Sequence, residues 1–361
     1  MRPDSLTAEL FAVAVAVIAA GVLGATWGAA RGRWRILARA VTVGACLVTA
    51  AAAGLIWVNR QVDAYPTWSS LAGSTTGAVP AVPPAPAGET GAGRVVTLTV
   101  HGKASGLTMP MYVYLPARYD AEPGTRFPVI EALHGYPSSP LQWFDKLHVS
   151  AVLDSEIAAG RMAPTVVVFP YTSPETMLDT ECANLVHGAQ AETFLTVDVP
   201  ATTRSRLRVR ADAGGWALIG YSAGGYCATD LVLRHPGRYS AAASLSGYAE
   251  PGIPIGDGTE KTLYDDLWRL GHLPAPAVGL YLACARTDLA SMRDTVALAR
   301  AAHSPLSVTT SYVSGGGHNS RTWQAMEVPA LDWLSASLGR PTAGRTQPSP
   351  ATAALAVAPP T

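Results

Sequence analysis

The chain has 361 residues, 48% of them hydrophobic and only 14% charged, with 26 basic and 26 acidic side chains that balance to zero formal net charge. That balance leaves no electrostatic footprint for a nucleic-acid partner, and the length suits one large domain with accessory segments. The 4 cysteines form no C-x-x-C pair and no Cys/His ligand spacing, so no structural zinc, other metal or cofactor is implied.

The N-terminus accounts for the low charge. Leu10 to Ala30 carries no charged residue, and neither does Ala40 to Val58. Each run is long enough to cross a bilayer core as a helix. Two transmembrane helices, about 10–30 and 38–58, are therefore expected within residues 1–60. Arg31, Arg33, Arg35 and Arg39 lie between or at the edge of these runs. The positive-inside rule places that loop in the cytoplasm and everything after Asn59 outside. Trp27, Trp34 and Trp57 stand near the expected boundaries, where amphipathic rings are favoured. A cleaved signal peptide explains only the first run and expects its basic residues before it, not after it.

Residues 61–93 read as a juxtamembrane segment and linker. Tyr65, Pro66 and Trp68 belong to its first part, and 72–93 is rich in Pro, Ala and Gly. Such a composition cannot bury enough surface to fold. Residues 339–361 have the same character and are expected to form a disordered tail. The domain-sized unit is 94–338. Arg94–Val100 and Met111–Leu115 alternate as strands do. Phe127–Leu133, Thr165–Phe169, Trp216–Ile219, Ala241–Leu245 and Val278–Ala283 are short apolar runs typical of buried parallel strands, and Ser307–Val313 is a further candidate. Helical stretches fall at Val149–Ala159, Val199–Arg208, Gly225–Arg234, Ser291–Ala302 and Ser320–Leu338. The alternation predicts an α/β fold with a mostly parallel central sheet flanked by helices. In such sheets the site lies at the carboxyl ends of the strands.

Gly220-Tyr221-Ser222-Ala223-Gly224 reads G-x-S-x-G between a strand candidate and a helix candidate. That context matches a nucleophile elbow, in which a sharp turn presents the serine Oγ to a substrate. A serine hydroxyl needs a general base within hydrogen-bond reach. His318 stands out among 8 histidines, in Gly315-Gly316-Gly317-His318-Asn319, after the last strand candidate. Asp288 follows the strand Val278–Ala283 and could orient the imidazole, or could instead cap the helix that follows. Glu250, Asp257, Asp265, Asp266 and Asp294 are competing acids. The order Ser, Asp, His is that of α/β-hydrolases. Two oxyanion donors are expected, the backbone N–H of Ala223 and that of Tyr136 in the loop after Phe127–Leu133. His134, at the end of that strand, reads as structural.

At this point the chain resembles a known family. Val113-Tyr114-Leu115-Pro116, Val129–Gly135, Gly220–Gly225, Arg234-His235-Pro236, Arg238–Ala242, Ser244-Leu245-Ser246-Gly247 and Gly316–Asn319 with Trp323 are similar to the putative-esterase group of α/β-hydrolases. That group contains esterase D, feruloyl esterases and the antigen 85 mycolyltransferases. The resemblance covers roughly 94–338 and implies Ser222 as nucleophile, His318 as base, an acid at or near Asp288, and the same oxyanion donors. With its hairpin, the chain resembles uncharacterised actinobacterial membrane esterases. The mycolyltransferases differ in carrying a cleaved signal peptide and a glutamate as the acid.

Of the remaining features, Cys182 and Cys227 are candidates for a disulfide between the loop after Thr165–Phe169 and the elbow helix. Trp143, Tyr171, Tyr248 and Trp323 are candidate walls of a substrate pocket. Arg204, Arg206, Arg208 and Arg210 could meet lipid phosphates or form a solvated face. The whole predicts a membrane-anchored, extracytoplasmic serine esterase acting on a lipidic or cell-wall ester. Acyl transfer to an envelope sugar or lipid is the alternative chemistry, and a non-catalytic envelope-binding domain the alternative class.

Overall fold

The computed structural model describes residues 2–3, 5–28, 32, 34–62, 65, 67–71 and 91–343. The expected linker falls outside the described residues as far as residue 90, and so does the tail beyond residue 343.

Two long apolar helices come first, α1 (Leu6–Thr26) and α2 (Trp34–Val62), with mean hydropathy of 2.3 and 2.1 in their spanning windows. By length and composition both can cross a membrane. Each reaches further towards the domain than the uncharged runs indicate. The Ser5 side chain accepts from the Ala8 N–H at 3.2 Å and starts α1 early. At the same end Glu9 pairs with Arg60 at 2.8 Å, which keeps two charged residues inside the helices. At the other end the Arg39 guanidinium lies 4.3 Å from the Trp27 ring centre and donates to the Trp27 carbonyl. A short helix, α3 (Trp68–Leu71), follows α2.

The catalytic-sized unit is built on one 8-stranded sheet. Its strands in chain order are β1 (Arg94–His101), β2 (Thr108–Leu115), β3 (Val129–Leu133), β4 (Val166–Pro170), β5 (Trp216–Tyr221), β6 (Ala241–Leu245), β7 (Gly279–Ala285) and β8 (Ser307–Val313). They lie side by side as β1-β2-β4-β3-β5-β6-β7-β8. The first two strands run antiparallel, and β4-β3-β5-β6-β7-β8 are parallel. Every residue of β3, β4, β5 and β6 is buried, as expected for strands covered on both faces.

The principal helices are α4 (Leu141–Asp145), α5 (Val149–Ala158), α6 (Val199–Arg206), α7 (Ala223–Arg234), α8 (Asp266–His272), α9 (Leu289–Ala301) and α10 (Ser320–Ser337). One apolar core joins the sheet to α6, α7 and Leu298 of α9. The other joins the opposite face to α4, α5 and α10. The fold is the α/β-hydrolase arrangement. Its C-terminal edge reaches beyond residue 338: Thr342–Ala343 pairs with Thr125–Arg126, and the Gly339 N–H donates to the Gly214 carbonyl. The expected tail therefore begins with residues that belong to the domain.

Within the arginine run, Arg204 and Arg206 are exposed, and three of the four arginines make local contacts. Arg204 stacks over Trp216, Arg208 over Tyr119, and Arg210 pairs with Asp212 at 2.6 Å. Their stems cover apolar rings while the charged heads stay near the surface.

Glu131 sits in the middle of β3, fully buried, with the Tyr239 hydroxyl donating to its Oε2 at 3.0 Å. Its Oε1 has no partner. Burial pushes the carboxyl from the ordinary 4.5 up to about 8, against the smaller opposing effect of Tyr239. The folded protein thus holds a proton that the unfolded chain has released above pH 4.5. Stability from this group is full below 4.5 and falls as pH rises towards 8. Glu131→Gln should accordingly raise the melting temperature increasingly from pH 5 to pH 8, relative to the unchanged protein. A difference that stays constant across that range would contradict the assignment.

Candidate active site

Parallel register sets the geometry. Leu133 pairs with Gly220, and Gly220 with Ser244, so the ends of β3, β5 and β6 lie side by side. After β5 the chain turns sharply into α7. Ser222, at the turn, has φ 55° and ψ −124°, a left-handed conformation unfavourable for a residue with a side chain. Its N–H donates to the Leu245 carbonyl at 3.0 Å. The flanking glycines are required sterically. A Cβ on Gly220 would lie 1.9 Å from the Gly224 oxygen, and one on Gly224 would lie 2.2 Å from the Leu133 oxygen.

Two neighbouring strands supply the partners of the serine. His318 follows β8, and its Nε2 lies 2.7 Å from Ser222 Oγ. Asp288 follows β7, and its Oδ2 lies 2.8 Å from His318 Nδ1. Asp288 occupies the N-cap position of α9 yet makes no capping bond with its side chain. Its carboxylate is directed at the imidazole instead. The competing acids lie elsewhere. Glu250, Asp265 and Asp294 line a separate cavity of about 310 Å³, Asp266 is buried within α8, and Asp257 accepts from Thr259.

The histidine loop is tied down at three points. The Gly317 N–H donates to Thr322 Oγ1 at 3.0 Å, Asn319 caps α10 through the Thr322 N–H, and the Thr287 hydroxyl donates to the Gly316 carbonyl at 2.9 Å. Ser291 adds a contact that motif reading missed. Its hydroxyl donates to the Ser246 carbonyl at 3.0 Å and lies 3.5 Å from His318 Nδ1. Only its position one turn after Asp288 on a predicted helix could have signalled it.

The residues expected to supply the oxyanion donors lie next to Ser222. A Cβ built on Gly135 would lie 3.1 Å from Ser222 Cβ, which puts the Gly135–Tyr136 backbone against the nucleophile. Ala223 opens α7, so its N–H has no intrahelical acceptor, and the helix dipole favours negative charge there. His134 holds this loop in place. It is buried, its Nδ1 is 2.8 Å from the Gly135 oxygen, and its Nε2 accepts from the Thr172 N–H at 3.2 Å. Burial lowers it to about pH 4, so it stays neutral, with the proton assigned to Nδ1 by this network. Among the described residues, no group of His, Cys, Asp and Glu side chains comes together as a metal-ligand set.

The chain is similar in family and fold to known proteins. The family described as Putative esterase matches residues 102–338. The chain belongs to this esterase family. An uncharacterised protein of Corynebacterium glutamicum is 24% identical over 333 residues, covering 84% of this chain and 76% of its own length. Among solved structures, a ferulic acid esterase superposes with a TM-score of 0.60 at 20% identity, covering 69% of this chain and 100% of its own. An S-formylglutathione hydrolase of Agrobacterium tumefaciens gives 0.59 at 15% identity, covering 70% of this chain and 98% of its own. A fluorophosphonate-binding serine hydrolase of Staphylococcus aureus gives 0.56 at 16% identity, covering 68% and 99%.

The pocket candidates of the esterase divide. Trp143 is fully buried, edge-on to Tyr221 at 5.1 Å and against Phe169, so it belongs to the core and not to a pocket wall. Trp323 is also buried. It stacks on Tyr221 at 4.6 Å and meets the His318 ring edge-on at 5.3 Å, supporting the imidazole from below. Tyr171 packs edge-on against His134. Tyr248 stacks on Tyr226 and donates to Glu181 Oε1 at 2.5 Å. Burial, reinforced by Asp179, raises the Glu181 carboxyl well above its ordinary range. Cys182 and Cys227 form a disulfide across 45 residues, tying the loop after β4 to the first turn of α7.

The elbow analysis makes a steric prediction. Gly224→Ala should destabilise the esterase by about 3 kcal/mol, because backbone must move to admit the methyl group. Gly237→Ala, where a Cβ meets nothing within 4 Å, should cost far less. Denaturant midpoints measure both, and equal shifts would contradict the close approach at the elbow.

Proposed function

We propose that the chain is a membrane-anchored serine esterase whose catalytic domain lies outside the membrane. The observation that carries this reading is the unbroken line of contacts from Ser222 Oγ through His318 to Asp288, at 2.7 and 2.8 Å. His318 Nε2 takes the Ser222 proton as Oγ attacks the ester carbonyl. Asp288 holds the ring in the tautomer with Nδ1 protonated and stabilises the cation that forms. The N–H groups of Ala223 and Tyr136 receive the negative charge that develops on the carbonyl oxygen. As the tetrahedral intermediate collapses, His318 gives its proton to the departing alcohol, leaving an acyl-serine. Water then gives a proton to His318 as its oxygen attacks the acyl carbon, and His318 returns that proton to Ser222 Oγ as the C–Oγ bond breaks and the acid leaves.

Hydrolysis is favoured over transfer to an envelope acceptor by the exposure of the imidazole. The His318 side chain is 40% accessible, so water reaches the base directly. The anchoring is supported by the two apolar helices, and the orientation by Arg31 and Arg33, between them in sequence, with Arg35 and Arg39 early in α2.

Ser222→Ala should abolish labelling by a fluorophosphonate probe and reduce ester turnover by about 10⁴-fold or more. Asp288→Asn should lower kcat by about 10³–10⁴-fold with little change in KM. Retained labelling in the Ser222 variant would overturn the mechanism. Orientation is tested separately with Arg33→Cys and a membrane-impermeant maleimide on intact cells. The account predicts no labelling until the cells are permeabilised, and labelling from outside would contradict it.

A further inference from the structure

The hairpin is more than a tether. Its two water-side ends converge on one short piece of the catalytic domain. Arg2, ahead of α1, pairs with Asp145 at 2.5 Å. Lys146 donates to the Arg60 carbonyl near the end of α2 at 2.6 Å. Asp145 ends α4, and Lys146 follows it. The chain leaving α2 is also held. The Asn59 side chain donates to the Tyr65 carbonyl at 3.0 Å and accepts from the Tyr65 N–H at 2.8 Å. Pro3, Ala8 and Asn59 are buried at this end, whereas only 11% and 6% of the two spanning windows are.

The same piece of chain begins at the site: residues 135–138 border the elbow, and Asp145 and Lys146 lie beyond them at the hairpin. Residues 135–146 run without a break from Gly135, against Ser222, to the hairpin contacts. Ser138 Oγ donates to Gln142 Oε1 at 2.9 Å and lies 3.4 Å from the Tyr221 hydroxyl, which braces this stretch on the elbow strand. The rim is apolar. Tyr136 is 37% exposed, and its hydroxyl donates to the carbonyl of Met177, itself 59% exposed. Leu289, next to Asp288, is 77% exposed. Trp68 and Leu71 of the juxtamembrane helix α3 are exposed as well. Large apolar side chains left in water at a site entrance mark contact with something apolar.

We propose that the mouth of the active site opens at the membrane–water interface and that its substrate is a bilayer-resident amphiphilic ester, not one that diffuses through water. This rests on the serine-esterase reading above and adds the substrate class. Through Asp145 and Lys146 the hairpin holds the site-bordering residues 135–138 near the headgroup region. The ester carbonyl of such a substrate lies near that region while its chain stays in the hydrocarbon. Retention there strengthens with each methylene buried in the hydrocarbon. Tyr136, Met177 and Leu289 are placed to admit the upper part of the chain.

The test uses the full chain reconstituted in phosphatidylcholine vesicles, with two fluorogenic esters of the same alcohol. One carries a butyryl group and is water-soluble; the other carries a hexadecanoyl group and resides in the bilayer. The double variant Asp145→Arg, Lys146→Glu removes both hairpin contacts. The proposal predicts a butyrate rate within twofold of the unchanged protein and a hexadecanoate rate at least tenfold lower. Parallel loss of both rates, or loss of neither, overturns it. A second measurement does not depend on that variant. A dye on Met177→Cys should be quenched by more than half by nitroxides placed near the lipid headgroups, and unquenched emission overturns the proposal. Failure of the unchanged protein to cleave either ester would sink the esterase reading, while the quenching result would still decide where the mouth lies.

Discussion

The first turn of α7 approaches the ends of β3 and β5 so closely that only glycine fits at the contacts. The constraint lies between Gly224 and the Leu133 carbonyl, with Gly220 and Gly224 meeting in the same way across the turn. It follows from the pairing of Leu133 with Gly220 in parallel register. The rest of the site depends on it. The tight turn puts Ser222 in a left-handed conformation and lifts its Oγ above the sheet. It starts α7 directly beside Ser222, which places the Ala223 N–H, a proposed oxyanion donor, in the next residue. It also draws Gly135 and Tyr136 against the serine. A single added methyl group would therefore separate the nucleophile from both donors at once.

His318 and Asp288 are positioned by a different device. They leave the ends of adjacent strands, β8 and β7, whose pairing of Ala285 with Val313 fixes how far apart the two loops begin. Thr287, Thr322 and Asn319 then close the remaining freedom with hydrogen bonds. Asp288 shows two structural demands in competition. It stands where a helix wants a side-chain cap, which is typically worth about 1 kcal/mol. The carboxylate instead bonds to the imidazole. The local capping interaction is given up for orientation of the histidine, a common signature of a functional residue.

Much of this arrangement was legible in the residues. The strands of the core stand out because each is a short apolar run, and parallel strands covered on both faces need that pattern. The G-x-S-x-G turn and the Gly-rich histidine loop are legible because both depend on glycine, the one residue whose necessity is steric. Less legible was what depends on three-dimensional packing. Trp143 and Trp323 sit in loop-adjacent positions that read as pocket walls, yet one fills the core and the other supports His318. Ser291 has no motif of its own. Each hairpin helix extends past its uncharged run at the end where Glu9 and Arg60 pair, while α1 stops at Thr26, short of the expected residue 30. The Arg204–Arg210 run reads as a charged face, but its cation–π contacts depend on Tyr119 and Trp216, distant in sequence.

The hairpin and the elbow meet through residues 135–146, so anchoring and chemistry share one structural element. That link gives meaning to the apolar rim, but it presupposes that Ser222 carries the acyl group. The most direct measurement is mass spectrometry of the full-length protein, quenched during turnover of a slowly deacylating ester and digested. The account predicts one peptide heavier by the acyl mass, with the added group on Ser222. An acyl group on another residue, or turnover with no covalent adduct at any quench time, would contradict it.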